Sequence, residues 1–386
     1  MNISLFKLLK SYKLKAGDIL ALSFLFLWLI VPVWLILTNK SSTFLLTLNF
    51  LLCLIVSGIL FHEKFNIPSQ KNIGIIFIIF SCIFLSFIFN IDKINIFLNI
   101  ILYLILALFL VQMAEKKYEY FLLTLKFYSL VNVSNLLYIY IKYGNSFEGR
   151  SIIEGVSANP LGLICISGAL GCLLFNKRTV RILLLSVYLL LTISVSARSA
   201  ILCISILYAY EFFYVLKRNT LCFLLGLVGI SGLIFWKYNF FYSILSEIFL
   251  FDDSYRGLDS GGSGRIEIWS RIPEYLNGMS VFFGVGFKEG KEVLGSTIDS
   301  AYASIILELG FLGGGTLIFL MLLLLIKSLK NILLVNNKNI IFCSLVIVTY
   351  SIYGVFESRY INFGNPYTFI YFFSIFYLFR KKTKGN

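Results

Sequence analysis

The chain has 386 residues, of which 59% are hydrophobic, 17% aromatic and only 13% charged, with a mean hydropathy of +0.89. That composition lies far outside the soluble globular range. The formal charge of +14 is no nucleic-acid footprint, because no basic stripe is interleaved with a soluble fold; it reads as a topology signal, with some attraction to anionic lipid headgroups.

Met1–Lys15 is a short basic amphipathic start, expected to remain uncleaved because no small-residue cleavage site precedes Asp18. Hydrophobic runs long enough to cross a bilayer follow at 19–38, 43–61, 72–89, 96–113 and 121–141. The loop Lys142–Asn159 comes next and ends at Pro160. Further runs occupy 160–175, 180–196, 199–216 and 220–236, then 301–326, 339–356 and 362–379 after a long polar island, Tyr238–Ser300. The expected fold is all-α: a polytopic integral membrane protein of about 12 transmembrane helices, or eleven if 180–216 forms one broken hairpin. Residues 1–386 read as a single membrane domain, with 238–300 as one large extracytoplasmic loop containing short amphipathic helices.

With the N-terminus inside, the cytoplasmic loops and tails collect 20 of the 33 basic residues. Both termini are then cytoplasmic, and the polar island faces outward. The inside residues are mostly lysines at helix ends. Six of the outside ones are arginines: Arg150, Arg198, Arg256, Arg265, Arg271 and Arg359.

Several chemistries lack their residues. His62 is the only histidine and is cytoplasmic by this topology, so no Ser/His/Asp triad or His-rich metal site can form outside. The cysteines lie in the hydrophobic runs without a CxxC pair, which indicates neither a disulfide framework nor a zinc site. GVGFKEG at 284–290 has the wrong spacing and context for a dinucleotide fingerprint. No internal repeat or pair of matching broken segments suggests a secondary transporter. No cofactor or metal is expected.

The residues that could carry chemistry cluster on the outer side. Arg198 lies in SVSARSA between two hydrophobic runs; it either snorkels at a helix end or faces a polar cavity flanked by Ser194, Ser196 and Ser199. In RIEIWSRIPEYL, an amphipathic helix expected to lie on the membrane surface, Ile266, Ile268 or Trp269, Ile272 and Leu276 share one face. Arg265 opens it, and its planar fork suits phosphate oxygens, though pairing with Glu267 or Glu274 is the plainer reading. Arg271 reads as a solvated partner, Arg150 and Arg359 have weaker context, and Arg256 follows Asp252–Asp253. Asp299, just before a hydrophobic run, is either a helix N-cap or a carboxylate able to take a proton from an alcohol. Glu308 sits inside the apolar run IILELGFLGGG, where a carboxylate must face a cavity or pair with an arginine.

Four stretches in this order resemble the O-antigen polymerase and O-antigen ligase superfamily: GRSIIEGVSANPLGL, SVSARSA, GRIEIWSRIPEYLNGMSVFFGVGF and DSAYASIILELGFLGGG. They span about Arg150 to Gly315. Ligases of that superfamily usually carry a histidine where this chain has Asp299, so the resemblance favours the polymerase branch. It implies glycosyl transfer between undecaprenyl-diphosphate-linked oligosaccharides, serving as donor and acceptor at the outer face of a bacterial inner membrane, in O-antigen or capsule synthesis. A chain-length regulator and a flippase of the same pathway would be its partners. Arg198, Arg265, Arg150, Arg359 and Arg271 would bind diphosphate, with Arg265 also assisting catalysis, and Asp299 or Glu308 would act as base or orient the acceptor. The rivals are ligase-type transfer of finished glycan to lipid or protein and, in a different class, a transporter or flippase of lipid-linked oligosaccharide.

Overall fold

The computed structural model describes residues 68–89, 94–143, 158–194, 197–216, 265–358 and 365–380, with isolated positions at 29–30 and between 232 and 246. The predicted spans 19–38, 43–61 and 220–236, and the candidates Arg150, Arg256 and Arg359, lie outside the described residues or touch only those isolated positions.

The apolar runs form helices because a backbone in lipid must satisfy its own hydrogen bonds. They are α1 (Gln70–Ile88), α2 (Ile94–Lys116), α3 (Tyr118–Tyr143), α4 (Ala158–Cys172), α5 (Arg178–Ser194) and α6 (Arg198–Leu216). A module of short helices follows: α7 (Arg265–Tyr275), α8 (Ser280–Phe283) and α9 (Gly290–Leu294). Then come α10 (Ala301–Leu334), α11 (Lys338–Phe356), a 3-10 turn at Pro366–Thr368, and α12 (Phe369–Leu378). Among the described residues, five helices (α1, α2, α3, α10 and α11) are long and apolar enough to cross a membrane. Within the run 180–216 two helices are described, α5 and α6, packed on each other. The run at 362–379 becomes the turn and the ten residues of α12.

α1, α2, α12, α11 and α10 form a ring, each packed on the next. A second group, α3, α5 and α6, surrounds α4 and joins the ring where α6 meets α11 and α3 meets α2. Phenylalanine and leucine side chains remain exposed along the outer helix faces, for example Phe77, Leu190 and Phe213. That is the surface lipid requires. α12 is the opposite, buried from Phe369 to Tyr377, with Phe121 of α3 stacked on Phe373 at 3.8 Å between ring centres.

α4 is short and deeply buried, and its glycines explain how it fits. A Cβ on Gly168 would stand 2.1 Å from the Tyr188 hydroxyl of α5, and one on Gly171 would stand 2.5 Å from the Leu125 carbonyl of α3. Small residues let membrane helices approach this closely. The tyrosine is then paired in full: its hydroxyl donates to the Ser129 carbonyl at 2.7 Å and accepts from Asn132 Nδ2 at 3.2 Å.

At one end of the bundle the first turn of α5 grips α6. Glu211, buried, takes Arg181 Nε at 2.7 Å and Arg178 Nε at 3.4 Å. Arg178 also donates to the Glu211 carbonyl, and Arg181 to that of Phe175. The basic residues counted above as topology signals therefore also join two helices. Breaking a buried ion pair strands charge. Because both arginines are partly exposed and can rehydrate, Glu211→Gln should cost about 3 kcal/mol, the low end for such pairs; thermal unfolding of purified protein in detergent reads this directly, and an unchanged midpoint would contradict it.

Candidate functional site

Arg265 and Asp299 come together at the end of the bundle where α10 begins. Arg265 Nε lies 4.0 Å from Asp299 Oδ2, with side-chain exposures of 21% and 38%. Asp299 is not the helix cap: Ser300 takes that role, its hydroxyl accepting from Ala303 N–H. A single residue suffices to cap α10, so the Asp299 carboxylate is left to face the arginine.

α7 is positioned by a small core of its own. Ile272, Leu294, Ile298 and Leu307 are buried together, with Ile268, Trp269, Tyr275, Leu276, Val285 and Ala303 packed around them. α7 is one wall of a folded module seated on α10. Of the apolar face read from the sequence at Ile266, Ile268 or Trp269, Ile272 and Leu276, the described side chains Ile268, Trp269, Ile272 and Leu276 pack inward against protein.

Among the described residues, three donors in this module are buried without a hydrogen-bond partner: Arg265 Nε (4.0 Å from Asp299 Oδ2), Trp269 Nε1 and Ser296 Oγ. Trp269 stands one turn beyond Arg265 on the same side of α7. Buried donors are almost always satisfied, so three in one module mark a place built to meet an acceptor. Sequence reading put Trp269 on the apolar face and passed over Ser296. No motif would have revealed either, because only burial distinguishes them. Arg271 lies elsewhere: six positions on from Arg265, about 240° around the helix, it is exposed and donates to the Tyr275 hydroxyl at 3.2 Å.

Glu308 has a different employment. α10 breaks at Gly310, whose backbone (φ 67°, ψ −174°) is not helical. Nearby carbonyls take their donors from the loop after α8: Val285 N–H to Leu307 at 2.9 Å and Gly286 N–H to Glu308 at 3.2 Å. Ser86 of α1 adds its hydroxyl to the Glu308 carbonyl at 2.7 Å. The Glu308 carboxylate then secures the same loop. Oε2 accepts from Lys288 N–H at 2.9 Å and Oε1 from Ser304 Oγ at 3.1 Å. Among the described residues the carboxylate thus faces a backbone donor and a hydroxyl donor.

Lys288, which sequence reading did not single out, has a left-handed backbone (φ 66°). Its residue surface is exposed, but its ammonium lies over the Tyr103 ring of α2 at 4.6 Å from the centre. Burial there lowers its pKa, and the Glu308 carboxylate works against that shift.

A second group stands at the same end. Arg198, partly buried, opens α6. Beside it, a Cβ on Gly162 would lie 2.8 Å from Ala197 Cβ and 3.0 Å from Ala200 Cβ, so the NPLG and SARSA stretches pack against each other. Tyr353 of α11 donates to the Asn159 carbonyl at 3.3 Å, and Tyr302 of α10 to that of Ser351 at 2.8 Å. These two bonds run from the start of α4 through the last turns of α11 to the start of α10. Glu357, which ends α11, is buried.

Among the described residues no group of three or more His, Cys, Asp or Glu side chains could hold a metal ion. No protein-family model matches the chain, and no curated protein matches it.

Proposed function

We propose that this chain is a membrane glycosyltransferase that joins undecaprenyl-diphosphate-linked oligosaccharide units into a polymer, as its resemblance to the O-antigen polymerase and ligase superfamily implies. In this reading it has about twelve spans, both termini are cytoplasmic, and the Arg265 end of the bundle faces outward. The observation that carries it is the meeting of Arg265 and Asp299 in a module whose buried donors lack acceptors.

The chemistry needs two things of such a site. An acceptor hydroxyl attacks the anomeric carbon of the donor sugar, forming the new C–O bond. The bond from that carbon to the phosphate oxygen breaks, its electron pair leaves with the diphosphate, and the hydroxyl proton passes to a carboxylate. Charge grows on the leaving group, so preorganised donors in a dry setting lower the barrier. Arg265 supplies the fork of donors, with Trp269 and Ser296 beside it in the module. Asp299 is the proton acceptor, since both Glu308 oxygens already accept hydrogen bonds, from Lys288 N–H and Ser304 Oγ. Arg198 binds the second diphosphate.

The test is full-length protein in nanodiscs supplied only with undecaprenyl-diphosphate-linked repeat units, with products resolved by size. A ladder of multiples is the expected result. Substrate moved across the bilayer without bond formation would instead identify a flippase. Joining only after a separate acceptor is added would identify a ligase.

A further inference from the structure

The far end of the bundle carries a cavity of about 1160 Å³, where the starts of α1, α3 and α11 meet the ends of α10 and α12. Lys71, Lys327 and Arg380 line it with Tyr118, Asn331 and Asn339, and no carboxylate does among the described residues. The Arg380 guanidinium lies 4.2 Å from the Tyr118 ring centre and 4.0 Å from that of Tyr377. Lys327 Nζ is 3.5 Å from the Phe379 ring centre, and Lys71 acts on it as a like charge.

Carboxylates of adjoining turns stand behind the cavity wall, each already accepting hydrogen bonds. Glu115 accepts from Ser69 N–H at 2.7 Å and Asn72 Nδ2 at 2.8 Å, and Glu119 from the Tyr118 hydroxyl at 3.2 Å. Cations gathered without a lining counter-charge repel one another, and a bound anion relieves that. Rings on the faces of Arg380 leave its in-plane donors available for a forked contact with phosphate oxygens. Asn331, whose Nδ2 also donates to Ser344 Oγ at 3.3 Å, and Asn339 stand in the same wall.

We infer that this cavity binds the phosphate of an anionic phospholipid headgroup. The cavity lies among helix ends, where headgroups sit, and basic pockets between helices suit such groups. Leu334, about 60° around α10 from the cavity-lining Lys327, Asn331 and Val335, is 80% exposed and offers an acyl chain an apolar surface next to the headgroup. A free phosphate would have no use for that surface. The site is separate from the Arg265 module and does not depend on the reaction assigned to it.

Full-length protein, stripped of lipid in detergent, would be presented with phosphatidylglycerol or phosphatidylcholine and its bound lipid counted by native mass spectrometry. The expected result is a preference of about fivefold or more for phosphatidylglycerol, lost at high salt. The preference should also vanish in a Lys327→Gln/Arg380→Gln double variant that elutes as a single species. Should the double variant misfold, Lys71→Gln, at an exposed position, is expected to reduce the preference. Equal binding of the two lipids by the parent, or an undiminished preference in the charge-neutralised variants, would overturn the proposal. Displacement of phosphatidylglycerol by millimolar inorganic phosphate would overturn the lipid as the source and assign the cavity to a soluble phosphate.

Discussion

Arg265→Ala is expected to abolish polymer formation while the protein still folds and inserts. The two halves of that outcome have different physical origins. Removing one preorganised donor from a developing oxyanion costs about 10²–10³ in rate, and here a whole guanidinium is lost. The folded state loses much less. At 4.0 Å, with Arg265 at 21% and Asp299 at 38% exposure, the ion pair is loose and partly hydrated, and such pairs contribute about 0–1 kcal/mol. Rates from the ladder assay should therefore fall by about a hundredfold or more, with little change in the melting midpoint. Arg265→Lys separates charge from shape: it keeps the cation but loses the planar fork, so it should fall between parent and alanine. Normal polymer length from Arg265→Ala would sink the assignment, and a collapse in stability would recast the residue as part of the module's scaffold.

How far this site could be read from the sequence depends on which interactions are local. The helices follow from apolar runs, and the RIEIWSRIPEY stretch is helical as expected because its amphipathic spacing is a property of adjacent turns. Whether Asp299 or Ser300 caps α10 could not be read, since both are good cap residues side by side. Trp269 fits an apolar stripe equally well whether its indole N–H is satisfied or not. GVGFKEG lacks the spacing of a dinucleotide fingerprint, and its purpose is invisible in the sequence. Its amides satisfy carbonyls of Leu307 and Glu308, in a helix that reads as uninterrupted through IILELGFLGGG. Glu308 was recognised as costly in an apolar run, yet its partners are a backbone amide twenty residues away and a serine one turn back. Only the first of those needs the folded chain, and it is the one that defines the role.

The glycines of that run give the sharpest stability contrast. Gly310→Ala would place a Cβ 2.3 Å from the Phe282 carbonyl oxygen and 2.5 Å from Gly284 N. Both are backbone atoms, so no side chain can swing aside. Its φ of 67° adds strain for any residue with a Cβ, about 1–3 kcal/mol on its own. Gly284 meets it from the other side with a left-handed φ of 77°, its own Cβ position lying 2.3 Å from the Glu308 backbone. The two chains thus touch glycine to glycine, and a methyl on either must push the 280–286 loop off α10. That would release the Val285 and Gly286 amides from the broken helix, and with them the frame that carries α9 and Asp299. A loss of at least about 3 kcal/mol is expected, with activity failing as well, although Gly310 touches no substrate in the proposed reaction. Gly315, five residues along the same helix, has nothing within 4 Å of an added Cβ. There the helix gains from alanine, so Gly315→Ala should be neutral or stabilising by up to about 1 kcal/mol. Melting midpoints of the two variants in one detergent should move in opposite directions, or one should fall while the other holds. A Gly310→Ala protein as stable as its parent would mean that α10 does not break there, and that the 284–290 loop is held by something other than the carbonyls of Leu307 and Glu308.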